Sequence, residues 1–349
     1  MEPRAHNHTQ VTEFVIVGFP GLQPEHFHLV AWGFLLFYVT TVGGNLLLIL
    51  VFAVEQSLQK PMYITMVSLA LSDIGFTTTA LPKLIARYWW DDGRIGTYTC
   101  IFQGHMIHYF GSLNSLILLT MALDRYLAIC FPLRYPLWMT NHTMTGLMAF
   151  CWVVTHAVTG ISTVSTALLP FCGPDRISQV FCDRVSIAAL VCGDTTQLMS
   201  SAYVIAMFIL CVPLAFIVLS YICIIISISR VANRQGRVRT FSTCATQGCI
   251  LSIYYVPRLS VYTATYIPGV KMSPDVRIVT PLFYSLLPPL IHPFIYCLRT
   301  SEIQKIFRRW VQKRPIAPAK RFKATAAEKP SVNVSSSDAR MPKKQNITL

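Results

Sequence analysis

The chain has 349 residues, of which 53% are hydrophobic and 13% are charged. Soluble domains carry about 25% charged residues, so this composition excludes an ordinary soluble protein and predicts a membrane protein. The net charge is +14, and membrane proteins concentrate Lys and Arg in their cytoplasmic segments. The charge therefore predicts contact with anionic membrane lipid and with an acidic protein partner, and it does not indicate nucleic acid.

Seven apolar segments are long enough to cross a bilayer, which requires about 20 residues per helix. In chain order they are Leu29–Val54, Met62–Ala86, Cys100–Ile129, Met144–Leu169, Met199–Ile228, Phe241–Tyr266 and Ile278–Leu298. The sequence thus predicts an all-α membrane protein with a seven-transmembrane helix bundle over residues 29–299. Only nine of the 29 Lys and Arg residues fall on the N-terminal side. The positive-inside rule then predicts a multi-pass protein with an extracellular N-terminus.

The two ends of the chain are polar. Residues 1–28 show neither periodicity nor the apolar core of a cleavable signal peptide, so we expect an extracellular tail. Its Asn7 heads a glycosylation sequon, unless that triplet is a chance match. Residues 300–312 predict a short amphipathic helix on the membrane surface, and residues 313–349 predict a disordered, basic cytoplasmic tail. The apolar side chains of the amphipathic helix are Ile303, Ile306, Phe307 and Trp310.

Polar residues inside the first two spans are candidates for function. Asp73 lies about half-way along the second span, where a carboxylate must be protonated, paired or bound to a cation. It either has a functional role or is protonated and bonded to a neighbouring serine. Asn45 follows two glycines in the first span, and we expect it to bond to another helix as a packing residue.

The third span carries a polar row and ends in a charge pair. His105, His108 and Ser112 lie at i, i+3 and i+7 on one helical face. The histidines could hold a metal, but no thiolate or carboxylate is evident nearby, so we predict a ligand pocket without metal or cofactor. Asp124-Arg125 at the other end is costly in a membrane and indicates a function. The alternative is an ordinary helix end, where the arginine extends toward lipid phosphates.

Arg258 is the only charged residue of the sixth span and directly follows Pro257. A guanidinium at that depth normally faces a water-filled cavity or a partner. It either pairs with a ligand carboxylate or sulfate, reaches Asp183 or Asp194 in the preceding loop, or extends to the membrane surface. Three residues are expected to line the same cavity: His108, Ser112 and Tyr262.

Four cysteines lie at or beyond the outer membrane edge, where disulfides persist. They are Cys100, Cys172, Cys182 and Cys192. Four cysteines allow three pairings, and spacing alone does not choose among them. The last three lie in the long loop Pro170–Leu198, which we expect to cover the outer opening of the bundle.

Several short motifs occur in a fixed order along the chain. They are PMY at 61–63, MALDRYLAIC at 121–130, SY at 220–221, FSTCATQ at 241–247 and HPFIY at 292–296. Together with the three-cysteine loop, they resemble the rhodopsin-like G-protein-coupled receptors and, more narrowly, the vertebrate odorant receptors. The resemblance covers residues from about 29 to 310. The sequence segments ALPKLIARYWW and HYFGSLNS are most similar to those of fish odorant receptors and of the class assigned to water-soluble odorants.

The resemblance implies a non-enzymatic receptor of the plasma membrane. Such a receptor binds a small-molecule odorant in an outward-facing pocket and activates a stimulatory, olfactory-type heterotrimeric G protein that raises cyclic AMP. The polar row of the third span and the arginine of the sixth give the predicted ligand-binding residues, which are His105, His108, Ser112, Arg258 and Tyr262. The implied switch residues are Asp124, Arg125, Tyr126, Tyr221, His292, Pro293 and Tyr296. The implied polar core is Asn45, Asp73 and Asn114.

More specific roles also follow from the resemblance alone. Asp124 and Arg125 would form a lock in the inactive state, and Arg125 would reach the G protein once the sixth helix moves. Tyr221 and Tyr296 would stabilise the open form. The implied disulfides are Cys100–Cys182 and Cys172–Cys192. Several positions depart from the family pattern; among them, His292 replaces the usual Asn and Asn114 replaces a common Glu.

Other membrane functions fit the sequence less well. A retinal-based light sensor needs a lysine in the seventh span, and residues 278–298 contain none. Transporters often show internal repeats with matching helix breaks, whereas the prolines here concentrate in the last two spans. The HExxH, GxSxG and phosphate-loop patterns of enzymes are absent. The remaining alternative is a non-olfactory receptor of the same superfamily that binds a small anionic ligand.

Overall fold

The computed structural model describes residues 11–171, 175–230, 234–266, 273–299 and 301–311. Its helices are α1 (Phe27–Val54), α2 (Pro61–Trp89), α3 (Thr97–Cys130), α4 (Tyr135–Trp138), α5 (Asn141–Ala167), α6 (Arg184–Ala188), α7 (Thr196–Ser229), α8 (Arg234–Tyr266), α9 (Pro274–Arg299) and α10 (Ser301–Val311). Its strands are β1 (Glu13–Ile16), β2 (Arg94–Gly96) and β3 (Arg176–Ile177). The seven long helices contain the seven predicted spans to within two residues at their ends, and α10 is the short eighth helix.

Six of the long helices are apolar enough to cross a membrane by length and composition, among the described residues. The exception is α8, although the sequence predicted a span over Phe241–Tyr266. Serine, threonine, glutamine and tyrosine are spread along α8, and Arg258 lies within it. These polar side chains lower its hydropathy. Two of them, Arg258 and Tyr262, line the cavity described below.

Helix α3 is the central helix of the bundle. It packs against α2, α5 and α7, while α1 packs against α2 and α9. Leu113 and Ile117 of α3 are fully buried, whereas Trp32, Phe150 and Ile161 on outer helices are exposed. Outward-facing apolar side chains are expected where the surrounding solvent is lipid, because a bilayer does not force them inward.

The three strands form a small sheet at one end of the bundle, which we call the sheet end. Strand β1 pairs antiparallel with β2 and parallel with β3. Phe14 and Ile16 are both 0% exposed, as the two-residue period of a strand requires. The prediction that residues 1–28 lack periodicity is therefore wrong for Glu13–Ile16. A four-residue strand is too short for a clear periodic signal, and its partners lie far along the chain.

The loop between α5 and α7 packs under this sheet. Cys100 at the start of α3 forms a disulfide with Cys182 of the loop, with the Cα atoms 5.4 Å apart. This confirms the first implied pairing. Cys192 is also disulfide-bonded, but its expected partner Cys172 lies outside the described residues. Apolar side chains from the strands, α3 and the loop share one buried cluster around the disulfide, which includes Phe14, Ile16, Ile95, Ile177 and Ile187.

Among the described residues, those up to Phe307 form one compact unit, which ends within α10. In this unit, Ile303 and Ile306 of α10 are buried, as the amphipathic pattern predicts. The predictions for Asn7 and for the tail 313–349 concern residues outside the described part of the chain.

Candidate ligand cavity and switch residues

A cavity of about 200 Å³ lies inside the sheet end of the bundle. Side chains of α3, α5, α7, α8 and α9 line it, and the loop before α6 contributes to its wall. All five residues predicted for ligand binding line this one cavity: His105, His108, Ser112, Arg258 and Tyr262. The loop residues Phe181, Asp183 and Arg184 line it as well. The expectation that the loop covers the opening of the bundle agrees with this arrangement.

Arg258 is the charged group that α8 places in the cavity. Its Nη1 donates to the Tyr254 hydroxyl at 3.2 Å, and its Cζ lies 4.3 Å from the Tyr254 ring centre and 5.2 Å from that of Tyr284. Its Nε is buried without a hydrogen-bond partner. Among the described residues, no carboxylate lies within 4.0 Å of its nitrogens.

The alternative partners of Arg258 are engaged elsewhere. Asp183 Oδ1 accepts from the Ser186 backbone N–H at 2.9 Å and so caps α6. Asp194 Oδ1 accepts from the Thr196 N–H at 2.9 Å near the start of α7. A hydrogen bond from the Thr196 side chain, and then the one from its backbone N–H, lower the pKa of the exposed Asp194, since both stabilise the carboxylate form. The hypothesis that either aspartate pairs with Arg258 is therefore wrong for this conformation.

Tyr254 connects α8 to α3 through its hydroxyl. It donates to the Gly111 carbonyl oxygen, and a tyrosine hydroxyl has one hydrogen, so Ser115 donates to it at 3.2 Å. Ser115 in turn accepts from the Tyr255 hydroxyl at 3.3 Å. These contacts were not predicted from the sequence. The only available signal was a pair of tyrosines placed just before Pro257.

The two histidines of the predicted row have different partners. His108 Nε2 accepts from the Arg184 backbone N–H at 3.3 Å and so holds the loop to α3. His105 Nδ1 lies 2.9 Å from the Thr163 hydroxyl, and that hydroxyl already donates to Thr159. His105 Nδ1 must therefore be the donor, which ties α3 to α5. In the described part of the chain, no group of three or more potential ligands could hold a metal ion.

A buried polar cluster joins α2, α3 and α9 in the middle of the bundle. Asp73 Oδ2 lies 2.7 Å from His292 Nδ1, and Asn114 Nδ2 donates to Asp73 Oδ1 at 3.4 Å. The alternative of a carboxyl group bonded to a neighbouring serine is thus wrong. Asn45 donates to the Pro289 carbonyl at 3.0 Å, which confirms the expected bond to another helix.

Three buried atoms of this cluster lack a hydrogen-bond partner among the described residues. They are Asn45 Oδ1, Asn114 Oδ1 and His292 Nε2. Nearby, a Cβ atom at Gly44 would lie 3.1 Å from Cγ of Pro293. Glycine is therefore what allows α1 to approach α9 at the predicted switch proline.

The end of α3 opposite the sheet holds the predicted charge pair. No ion pair within 4.0 Å joins Asp124 to Arg125, so the expected lock between these two residues is absent in this conformation. Asp124 Oδ1 instead accepts from the Tyr135 hydroxyl at 2.8 Å, and Arg125 Nη2 contacts Met62 Sδ.

Helix α4 explains this arrangement, because it folds Tyr135 back against the end of α3. Burial and then the hydrogen bond to Asp124 raise the pKa of Tyr135, so its hydroxyl stays protonated and donates. The remaining switch tyrosines lie at the same end. Tyr126 and Tyr221 pack on a small apolar cluster that α7 contributes, and the Tyr296 hydroxyl lies 3.8 Å from Met121 Sδ.

The known proteins that are similar to this chain match it over most of its length, and they share one family. The family model for olfactory receptors matches residues 34–314. Olfactory receptor 1 of Rattus norvegicus is 33% identical over 310 residues, which are 89% of this chain and 98% of that protein. Olfactory receptor 6N1 of Homo sapiens is 36% identical over 309 residues, which are 88% and 97% of the two chains.

A solved structure shows the same fold. The crystal structure of squid rhodopsin superposes with a TM-score of 0.66 at 16% identity, covering 85% of this chain and 91% of that one. The bundle is therefore a rhodopsin-like seven-helix fold. The match to the family model and the identity to the mammalian receptors extend over the whole bundle, and the chain belongs to the olfactory receptor family of G-protein-coupled receptors, which are not enzymes.

Proposed function

We propose that this receptor detects small anionic odorants in the cavity beside Arg258 and activates a stimulatory G protein that raises cyclic AMP. The observation that carries the ligand class is a half-buried guanidinium that lines the cavity and, among the described residues, has no carboxylate within 4.0 Å. His105, His108, Ser112 and Tyr262 complete the proposed ligand-binding set, since they line the same space.

The energetics of Arg258 support an anionic ligand. An arginine at the centre of a membrane helix costs about 2.5–3.5 kcal/mol on insertion scales. Contacts with the rings of Tyr254 and Tyr284 offset part of this cost, since cation–π pairs contribute about 0.5–2 kcal/mol. The Nε–H of Arg258 still lacks an acceptor. A ligand carboxylate would supply both the missing acceptor and the missing negative charge.

The loop after α3 supports coupling to a G protein. Leu133 is 91% exposed and Leu137 is 76% exposed, and the Arg134 guanidinium lies 5.7 Å from the Trp138 ring centre. Large exposed apolar side chains beside a basic group are typical of a protein-binding surface. This surface directly follows Asp124 and Arg125, which we propose as the coupling residues together with Tyr126, Tyr221, His292, Pro293 and Tyr296.

The proposed location is the plasma membrane, with the sheet end outside the cell. The distribution of basic residues supports this orientation, and the disulfide Cys100–Cys182 at the sheet end suits an oxidising compartment. We also propose the subclass that detects water-soluble odorants, which the charged cavity supports. Membership of the olfactory receptor family argues against the alternative of a non-olfactory receptor for an anionic ligand.

The test is a cyclic-AMP assay in transfected cells with matched ligands. Butanoic, hexanoic, nonanoic and phenylacetic acids are compared with their methyl esters. We expect at least one acid to activate the receptor, and Arg258→Gln to lower its potency by about 30-fold or more, because loss of one partner of a buried charge pair is costly. Arg258→Lys should recover only part of the potency, since lysine lacks the planar fork.

Two controls separate binding from folding and coupling. Arg94→Gln removes a positive charge from the same end of the bundle, where Arg94 is exposed and outside the cavity, and it should leave potency unchanged. Arg125→Ala should abolish the cyclic-AMP response while the receptor still reaches the cell surface. Unchanged potency of the activating acid after Arg258→Gln, or a wild-type receptor that responds to none of the acids, would refute the proposed ligand class.

A further inference from the structure

The guanidinium of Arg258 has one hydrogen-bonded nitrogen and one buried nitrogen without a partner. Nη1 donates to Tyr254, while the buried Nε has no hydrogen-bond partner among the described residues. The Nε–Nη2 edge presents two parallel N–H groups, which is the geometry that binds both oxygens of one carboxylate. The orientation of this edge in the cavity therefore depends on how Nη1 is held.

Gly111 of α3 positions Nη1 of the guanidinium in two ways. A Cβ atom at position 111 would lie 3.3 Å from Arg258 Nη1 and 3.8 Å from Nη2, so an added side chain would push Nη1 away by a few tenths of an ångström. The Gly111 carbonyl also accepts the Tyr254 hydroxyl, and that hydroxyl holds Nη1. Gly111 thus determines both the space available to the guanidinium and the position of the Tyr254 hydroxyl that binds it.

The other cavity glycine of α3 has a different neighbour. A Cβ atom at Gly104 would lie 3.3 Å from the Cys182 carbonyl oxygen, so Gly104 accommodates the disulfide-bonded loop. Gly104 and Gly111 lie seven residues apart on the same helical face, and both line the cavity. Of these two, only Gly111 contacts the charged group.

We propose that Gly111 is a specificity-determining residue, which selects carboxylate ligands by seating Arg258 so that its Nε–Nη2 edge faces the cavity. This inference rests on the proposed function, because it requires that an anion binds at Arg258. The expected ligand is a monocarboxylate whose two oxygens accept from that edge, with its carbon chain against the apolar wall of the cavity.

The test is Gly111→Ala in the cyclic-AMP assay with hexanoic and phenylacetic acids and their methyl esters. The added methyl group displaces the guanidinium, and small misplacements at a charged contact have large effects. We expect the potency of the activating acid to fall by about 10-fold while an active ester changes by less than about 2-fold. Gly160→Ala in α5 is the matched control, because a Cβ atom there meets nothing within 4 Å.

A double-mutant cycle shows whether Gly111 acts through Arg258. In the Arg258→Gln background, Gly111→Ala should cause no further loss of acid potency, since the group it positions is gone. Additive losses would overturn the inference. Tyr254→Phe removes the hydroxyl that holds Nη1 without adding volume, and it should lower acid potency selectively; an unchanged ratio of acid to ester potency would also overturn the inference.

The outcomes separate this inference from the proposed function. If Arg258→Gln changes the potencies of the acid and of its ester by the same factor, the proposed ligand class itself is wrong. If Arg258→Gln lowers the potency of the acid selectively while Gly111→Ala and Tyr254→Phe do not, the ligand class stands and only the role of Gly111 is refuted. Surface expression, measured on the same cells, identifies a variant that fails to fold, and Tyr254→Phe then decides the question.

Discussion

The contact between Asp73 and His292 allows a quantitative prediction about the middle of the bundle. The two side chains are 0% and 2% exposed, and Asp73 Oδ2 lies 2.7 Å from His292 Nδ1. The only other side-chain partner of the Asp73 carboxylate among the described residues is Asn114 Nδ2, at the longer distance of 3.4 Å. His292 is therefore the main group that stabilises this carboxylate.

His292→Leu should destabilise the folded receptor strongly, because it leaves a buried carboxylate with one weak partner. Leaving a buried carboxylate without its main partner costs about 3–5 kcal/mol. Asp73→Asn keeps a neutral hydrogen-bonding group in the same place, so its cost should be about 1–2 kcal/mol. In the double variant Asp73→Asn/His292→Leu no charge is left unpaired, and we expect a cost close to that of Asp73→Asn alone.

The assay is thermal unfolding of the purified receptor in detergent, for the wild type and the three variants. The drop for His292→Leu should be on the order of 5–10 °C, and the double variant should be more stable than His292→Leu. Converted to free energy, the interaction between the two sites should be about 3–5 kcal/mol, because the double variant recovers the whole cost of His292→Leu. Additive effects of the two substitutions would refute the reasoning, since they would show that the pair has no mutual stabilisation.

Two further variants test the ends of the bundle. Phe14→Ala should lower the stability of the sheet end by about 3–5 kcal/mol and reduce surface expression, because Phe14 is fully buried. The matched variant Phe150→Ala changes a phenylalanine that is 63% exposed, and equal losses in both would contradict the role of the strand. Tyr135→Phe removes the hydrogen bond to Asp124, which costs about 1–3 kcal/mol and should raise basal cyclic AMP. Basal activity equal to that of Tyr98→Phe, at a 77% exposed position, would rule out this role for Tyr135.

The helices could be predicted closely because their signal is local. A membrane helix must satisfy its own backbone hydrogen bonds within one continuous apolar segment, and the length of that segment is readable in the sequence. The helix over Phe27–Val54 illustrates this, since its predicted span began only two residues later. The sixth helix was predicted from the same length rule, although its polar residues lower its hydropathy.

Several candidate site residues could also be predicted, since polar groups in an apolar span are conspicuous. His108, Ser112 and Arg258 were expected in one cavity, and all three line it. The family could also be recognised from the sequence, because its motifs are short and occur in a fixed order along the chain. Glu13–Ile16 shows the limit of this approach, because four residues carry too little periodicity to be recognised as a strand.

What the sequence determined by itself is therefore the number and approximate positions of the long helices, the family, and the set of polar residues that needed partners. Only the tertiary structure decided which partners they found. Asp73 contacts a histidine 219 positions later, Asp124 contacts Tyr135 instead of its neighbour Arg125, and Gly111 receives the guanidinium of Arg258. Burial imposes the need for a hydrogen-bond partner on each polar residue separately, whereas the identity of the partner depends on how distant helices pack, and no local pattern encodes that packing.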